Sequence, residues 1–141
     1  MIGVIDTEGD CAEWTFPADP GAVRTARARV RHQLGDWNLD AVADMTVLLV
    51  SELVTNSLRH ASGPIGVRLV RPAAAPAPAH RSPHLLVEVS DPLPDPPRER
   101  VAAPDDEGGR GLQLVACSAV RWGTRRGKTG KTVWFELALP G

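Results

Sequence analysis

The sequence is poor in cysteine: Cys11 and Cys117 are the only two in 141 residues, far apart and without a CxxC or Cys/His ligand spacing. That argues against a disulfide framework or a cysteine-based metal centre, and in a reducing compartment such residues pack as small hydrophobes. An excess of positive charge is also missing, since 16 Lys and Arg stand against 17 Asp and Glu, a formal net charge of -1. The global basic field by which non-specific nucleic-acid binders hold phosphates is therefore absent. No apolar run reads as long enough to cross a bilayer, which argues against a membrane protein. Met1 to Asp10 carries acids where an export signal needs a basic start and a long apolar core, which predicts a cytoplasmic protein. No internal repeat is visible. With 43% hydrophobic residues the chain suits one domain, 1–141, and is too short for a catalytic domain plus a second folded module.

What is present divides into interleaved helices and strands. After an N-terminal tail (1–10) and an extended stretch from Cys11 to Pro17, Asp19-Pro20 offers a cap followed by a proline at the first helical position. Val23, Ala26, Val30 and Leu34 then recur at helical spacing, which predicts a helix ending near Gly35. Its other faces carry Arg24, Arg27, Arg29, Arg31 and His32, either a solvated face or a grip for phosphate or an acidic protein. A second helix is expected from Asp40 through His60, stopped by Gly63-Pro64 and apolar over much of its circumference.

Ile65 to Val70 and Leu85 to Asp91 read as neighbouring strands, separated by a Pro/Ala-rich surface loop (71–84) in which the prolines forbid helix. From Asp91 to Gly111 no period is visible and Pro, Asp and Gly crowd together, a pattern of either disorder or a lid. Gly111 to Val120 reads as a short buried helix running into a strand at Val120 to Arg125. Thr132 to Leu139 reads as a terminal strand, with Gly127 to Gly130 as the hairpin turn. The fold class expected is α+β, a two-layer sandwich whose mixed, mostly antiparallel sheet is covered by helices on one face.

Three features carry chemistry. Glu52 and Asn56 lie four positions apart on the second helix, stacked about one turn apart on one face, with His60 a turn further. Burial of a carboxylate and an amide demands a partner, so this stripe meets either water or a ligand. A strand ending in Asp91 presents a carboxylate able to accept from an exocyclic amine such as that of adenine. Gly108-Gly-Arg-Gly111 leads into a helix, where free backbone N–H groups and the positive end of the dipole suit phosphates. A glycine cluster alone is equally a flexible loop end.

Taken in order, Ser51-Glu-Leu-Val-Thr-Asn-Ser-Leu-Arg-His-Ala61, Asp91, and Glu107-Gly-Gly-Arg-Gly-Leu-Gln-Leu-Val-Ala116 resemble the N-box, the first glycine-box position and the second glycine box of the GHKL ATPase superfamily. The look-alikes are the anti-sigma-factor serine/threonine kinases and their small actinobacterial relatives, and the likeness runs from Trp14 to Leu139. The resemblance implies the Bergerat, or histidine-kinase-like, ATPase fold, with ATP and Mg²⁺ as cofactors. It implies Asn56 on Mg²⁺, Asp91 on the adenine amino group, and Gly109, Arg110, Gly111 and Leu112 on the phosphates at the end of an ATP lid (92–110). It also implies Glu52 as general base and Thr132 as an adenine-side contact. Its partners would be a sigma factor and an anti-anti-sigma-like antagonist protein, met by a homodimer without direct nucleic-acid or membrane contact. In one respect the chain departs from the pattern: Asp-x-Gly-x-Gly is here Asp91-Pro-Leu-Pro-Asp95, and Leu93 with the prolines is expected to stiffen the adenine-side loop and narrow the pocket.

The function implied is an ATP-binding regulator that phosphorylates an antagonist protein and sequesters a sigma factor, with a non-catalytic, nucleotide-gated interaction module as the alternative. A DNA-binding role for the arginine-rich helix lacks any base-reading motif. Two decoys fall away. Gly127-Lys-Thr129 and Gly130-Lys-Thr132 lack the glycine five positions earlier that a P-loop requires and precede strand rather than helix. His60 as a phosphoacceptor would need a separate helical dimerisation module, for which the chain is too short.

Overall fold

The computed structural model describes residues 11–60, 63–72, 83–92, 107–127 and 130–140. The N-terminal tail, most of the Pro/Ala-rich loop and of the expected lid, Leu93 and the tip of the last hairpin lie outside the described residues. The elements, in chain order, are β1 (Cys11–Phe16), α1 (Gly21–Asp36), a 3-10 turn (Asp40–Val42), α2 (Ala43–His60), β2 (Ile65–Val70), β3 (His84–Asp91), α3 (Glu107–Ser118), β4 (Arg121–Arg126) and β5 (Lys131–Ala138).

The strands form one five-stranded sheet in the order β1-β2-β3-β5-β4. Every described pairing is antiparallel, so the parallel component allowed for by a mixed sheet does not occur among the described residues. β2 and β3 are neighbours, as their sequence patterns predict. Alternation along the strands sends Trp14, Phe16, Ile65, Val67, Leu69, Leu85, Val87, Val89, Val133, Phe135 and Leu137 to one face. There they meet Ala26, Val30 and Leu34 of α1, Leu49, Val50, Leu53 and Val54 of α2, and Val115 of α3, and this is the core. Helices thus cover one face of an α+β sandwich.

The ends of α1 show how sequence sets its limits. Asp19 Oδ1 accepts from the Gly21 N–H at 2.9 Å, a side-chain contact that serves the first turn. At the other end the helix does not stop on Gly35. Asn38 takes the left-handed conformation (φ 57°), and the N–H groups of Leu39 and Asn38 donate to the carbonyls of Leu34 and Gly35 at 2.8 and 3.0 Å. This is a Schellman-type cap, with asparagine in the place glycine usually takes.

α2 with its leading turn, Asp40–Arg59, is 20 residues long and apolar enough to pass for a membrane span by length and composition, which the sequence reading had not anticipated. Leu49, Val50 and Val54 are fully buried in the core, whereas Met45 and Leu48 of the same helix are exposed. Three of its four hydroxyl residues are satisfied by the helix itself: Thr46, Ser51 and Thr55 each donate to the carbonyl four residues back, at 2.7 Å. Asp40 opens the 3-10 turn rather than capping α2 directly.

The sheet's other face is polar and, among the described residues, carries no helix. Glu88 on the central strand β3 is nearly buried there, accepting from Arg68 Nη1 at 2.7 Å and from Arg125. The Arg68 guanidinium is held above its ordinary pKa, chiefly by the bond to Glu88 and then by its donation to Cys11 Sγ. Glu136 similarly accepts from Arg121 at 2.9 Å and lies 3.2 Å from His84 Nδ1. Cys11 is buried as expected, whereas Cys117 lies exposed on α3 rather than in the core. Of the α1 arginines, Arg31 pairs with Asp44 at 3.0 Å on the exposed surface, a solvated contact.

Candidate active site

The site is built where α2 meets the C-terminal end of β3. The core stripe of α2 runs through Val50, Leu53, Val54 and ends on Ser57, 5% exposed, so a polar residue occupies the last apolar position. Its hydroxyl donates to Asp91 Oδ2 at 2.9 Å, joining residues 34 apart in sequence. Asp91 is the last residue of β3 and is itself 5% exposed. Its second oxygen, Oδ1, is buried and has no hydrogen-bond partner among the described residues. Almost every buried polar atom in a folded protein is paired, so a carboxylate oxygen left open here is a place for a donor to arrive.

Glycines make room for that carboxylate. A Cβ on Gly130, just before β5, would lie 2.2 Å from the Asp91 carbonyl oxygen, so only glycine admits this close approach. A Cβ on Gly63 would lie 2.5 Å from the Pro92 ring. Asp91 and Pro92 are thus accommodated by glycines on the two segments beside them. Pro92 is half-buried against Gly63.

Glu52 and Asn56 are both half-buried on α2, Asn56 immediately before Ser57. Gly109, Arg110 and Gly111 fall within α3, whose start at Glu107 is four residues earlier than the sequence pattern gives. Glycine costs about 1 kcal/mol in a helix interior, which hides the start from pattern reading, but in the first turn the N–H groups lack intrahelical acceptors anyway. Leu112 packs on the core, and α3 lies against α2. The side chains of His60 and of residues 107–111 lie outside the described residues.

Thr132 is not brought to Asp91. In the β3–β5 register Asp91 faces Lys131, while Thr132 faces Ser90 with their hydroxyls 2.8 Å apart. Adjacent strand residues point to opposite faces, so Lys131 shares the face of Asp91 and Thr132 stands on the polar one. Sequence reasoning passed over both Lys131 and Ser57. Ser57 did leave a signal, a hydroxyl at core spacing on a buried helix.

Residues 16–137 match the family model of the histidine kinase-like ATPase domain, and the chain belongs to that family. A comparison with curated proteins found no match. Eleven solved chains match. One is the crystal structure of the RsbU and RsbW domains of Rv1364c from Mycobacterium tuberculosis, similar at 20% identity with a TM-score of 0.66 over 92% of this chain. The match spans 32% of that longer chain, so the likeness is one of fold.

Membership of an ATPase family implies ATP as ligand, and the open Asp91 Oδ1 suits it: adenine offers an exocyclic N–H donor of the kind this oxygen lacks. Among the described residues no group of three or more His, Cys, Asp or Glu side chains is placed to hold a metal.

Proposed function

We propose that the chain is an ATP-dependent serine/threonine protein kinase of the anti-sigma-factor type, a single domain (1–141) that phosphorylates an antagonist protein and sequesters a sigma factor. The observation that carries this reading is the buried Asp91, one oxygen fixed by Ser57 and the other open, beside the helix that bears Glu52 and Asn56. The RsbW domain named in the similar structure supports the partner half of the proposal.

In this reading Asp91 accepts from the adenine amine, and the start of α3, with Gly109, Arg110, Gly111 and Leu112, meets the phosphates, the free N–H groups being those of the first turn, which includes Gly109 and Arg110. Asn56 holds Mg²⁺, which when bound neutralises phosphate charge. Glu52 takes the proton from a serine hydroxyl of the antagonist as that oxygen forms its bond to the γ-phosphorus; the bond to the β,γ-bridging oxygen breaks and ADP leaves. Action as a cytoplasmic homodimer that regulates transcription through its partners, without touching nucleic acid or membrane, belongs to the same proposal.

Incubation with labelled ATP, Mg²⁺ and candidate antagonists tests it. Phosphotransfer that Glu52→Ala abolishes while ATP binding persists is the expected result. Absence of transfer to every candidate rejects the kinase. ATP binding that Asn56→Ala and Asp91→Ala leave unchanged rejects the site.

A second reading, a nucleotide-gated interaction module without turnover, is favoured by one feature: Pro92 replaces the flexible start of the glycine box and packs against Gly63. It predicts ATP and partner binding with measurable coupling and no phosphotransfer.

A further inference from the structure

We infer that Ser57 is the positioning residue that makes the site select adenine over guanine, an inference that rests on the ATP-site reading above. Asp91 has two oxygens, and among the described residues only one is committed. Ser57 has a single hydroxyl proton and donates it to Oδ2 at 2.9 Å. The bond removes the roughly two-fold freedom of the carboxylate about its terminal torsion, so that Oδ1 keeps one direction. What remains at Oδ1 is a buried carboxylate oxygen without a partner among the described residues.

Such an oxygen discriminates between purines. The amine of adenine donates to it. Guanine presents a carbonyl oxygen at the same ring position, and two acceptors face each other without a proton between them. Burial of both partners sharpens the difference, because a site built to satisfy one polar group leaves the wrong ligand's group unpaired. Loss of the serine hydroxyl frees Asp91 to turn, so that Oδ1 no longer keeps the direction in which the adenine amine meets it. The discrimination is therefore lost from a position that never touches the nucleotide.

The test is calorimetric titration of the whole chain with MgATP, MgGTP and the Mg complex of purine riboside triphosphate, which lacks the C6 amine. It compares the parent, Ser57→Ala and Ser57→Thr, with helical content checked by circular dichroism. The parent is expected to favour ATP over GTP by about a hundredfold. Ser57→Ala weakens ATP about tenfold, in keeping with loss of one hydrogen bond to a charged group. It leaves the purine riboside analogue unchanged, so the ATP-to-GTP ratio narrows, and Ser57→Thr restores it. Equal weakening of all three nucleotides in Ser57→Ala, or an unchanged ratio, overturns the inference and leaves the ATP site standing. A parent that binds no ATP, or an Asp91→Ala variant that binds it normally, overturns both.

Discussion

Replacing Gly130 with alanine tests how the last hairpin shapes the end of β3. The added Cβ would stand 2.2 Å from the Asp91 carbonyl oxygen, 3.1 Å from its carbonyl carbon and 3.2 Å from Pro92 Cα. All three are backbone atoms, so no side chain can rotate away, and β3 and β5 must separate by nearly an ångström where they meet. Forced repacking of this size costs about 1–3 kcal/mol. With a urea dependence of about 1–3 kcal/mol per molar for a small domain, the unfolding midpoint falls by about 1 M. The same shift displaces the Asp91 carboxylate from Ser57, so nucleotide affinity falls by about tenfold or more, since small misplacements at a site are expensive. Gly127→Ala is the control, because its nearest neighbour would be the Gly130 carbonyl at 3.9 Å, an ordinary contact. Urea titration followed by circular dichroism gives the stability, and calorimetry with MgATP gives the affinity. If Gly130→Ala and Gly127→Ala behave alike in urea, the close approach of the two chains is refuted whatever the nucleotide does.

Two further outcomes are expected. Glu88→Ala leaves Arg68 and Arg125 without their shared carboxylate; both guanidiniums reach water, with side chains 42% and 62% exposed, so the loss is moderate. About 1–2 kcal/mol is expected, seen as a melting temperature lower by roughly 3–6 °C, and an unchanged melting curve would show that the cluster contributes nothing. Thr132→Val removes the hydroxyl bonded to Ser90 on the polar face, away from Asp91. ATP affinity should stay within about twofold by calorimetry, the range of a substitution remote from the site, and a tenfold loss would mean that Thr132 does reach the nucleotide.

Much of this was legible along the chain. The spacing of Ala26, Val30 and Leu34 defines α1, and the alternation in Ile65 to Val70 defines β2, because each segment buries one face and period reports that directly. The order of Glu52, Asn56, Asp91 and the glycines before Leu112 identifies the family from sequence. Other features were hidden for local reasons. The start of α3 lies in glycines that carry no helical signal. The end of α1 depends on an asparagine accepting a left-handed conformation, which no period reveals.

The sequence by itself determined the amphipathic segments, the motif order and the one departure in the glycine box, since all of these are properties of near neighbours. Tertiary structure alone decided which residue stands opposite which. It placed Lys131 rather than Thr132 across from Asp91, because register fixes the face of every strand residue at once. It made Gly130 obligatory through contact with a strand tens of residues away. It also joined Ser57 to Asp91 across 34 positions, turning the last core position of a helix into the partner of a buried carboxylate. Those are distances through space, and neither composition nor period carries them.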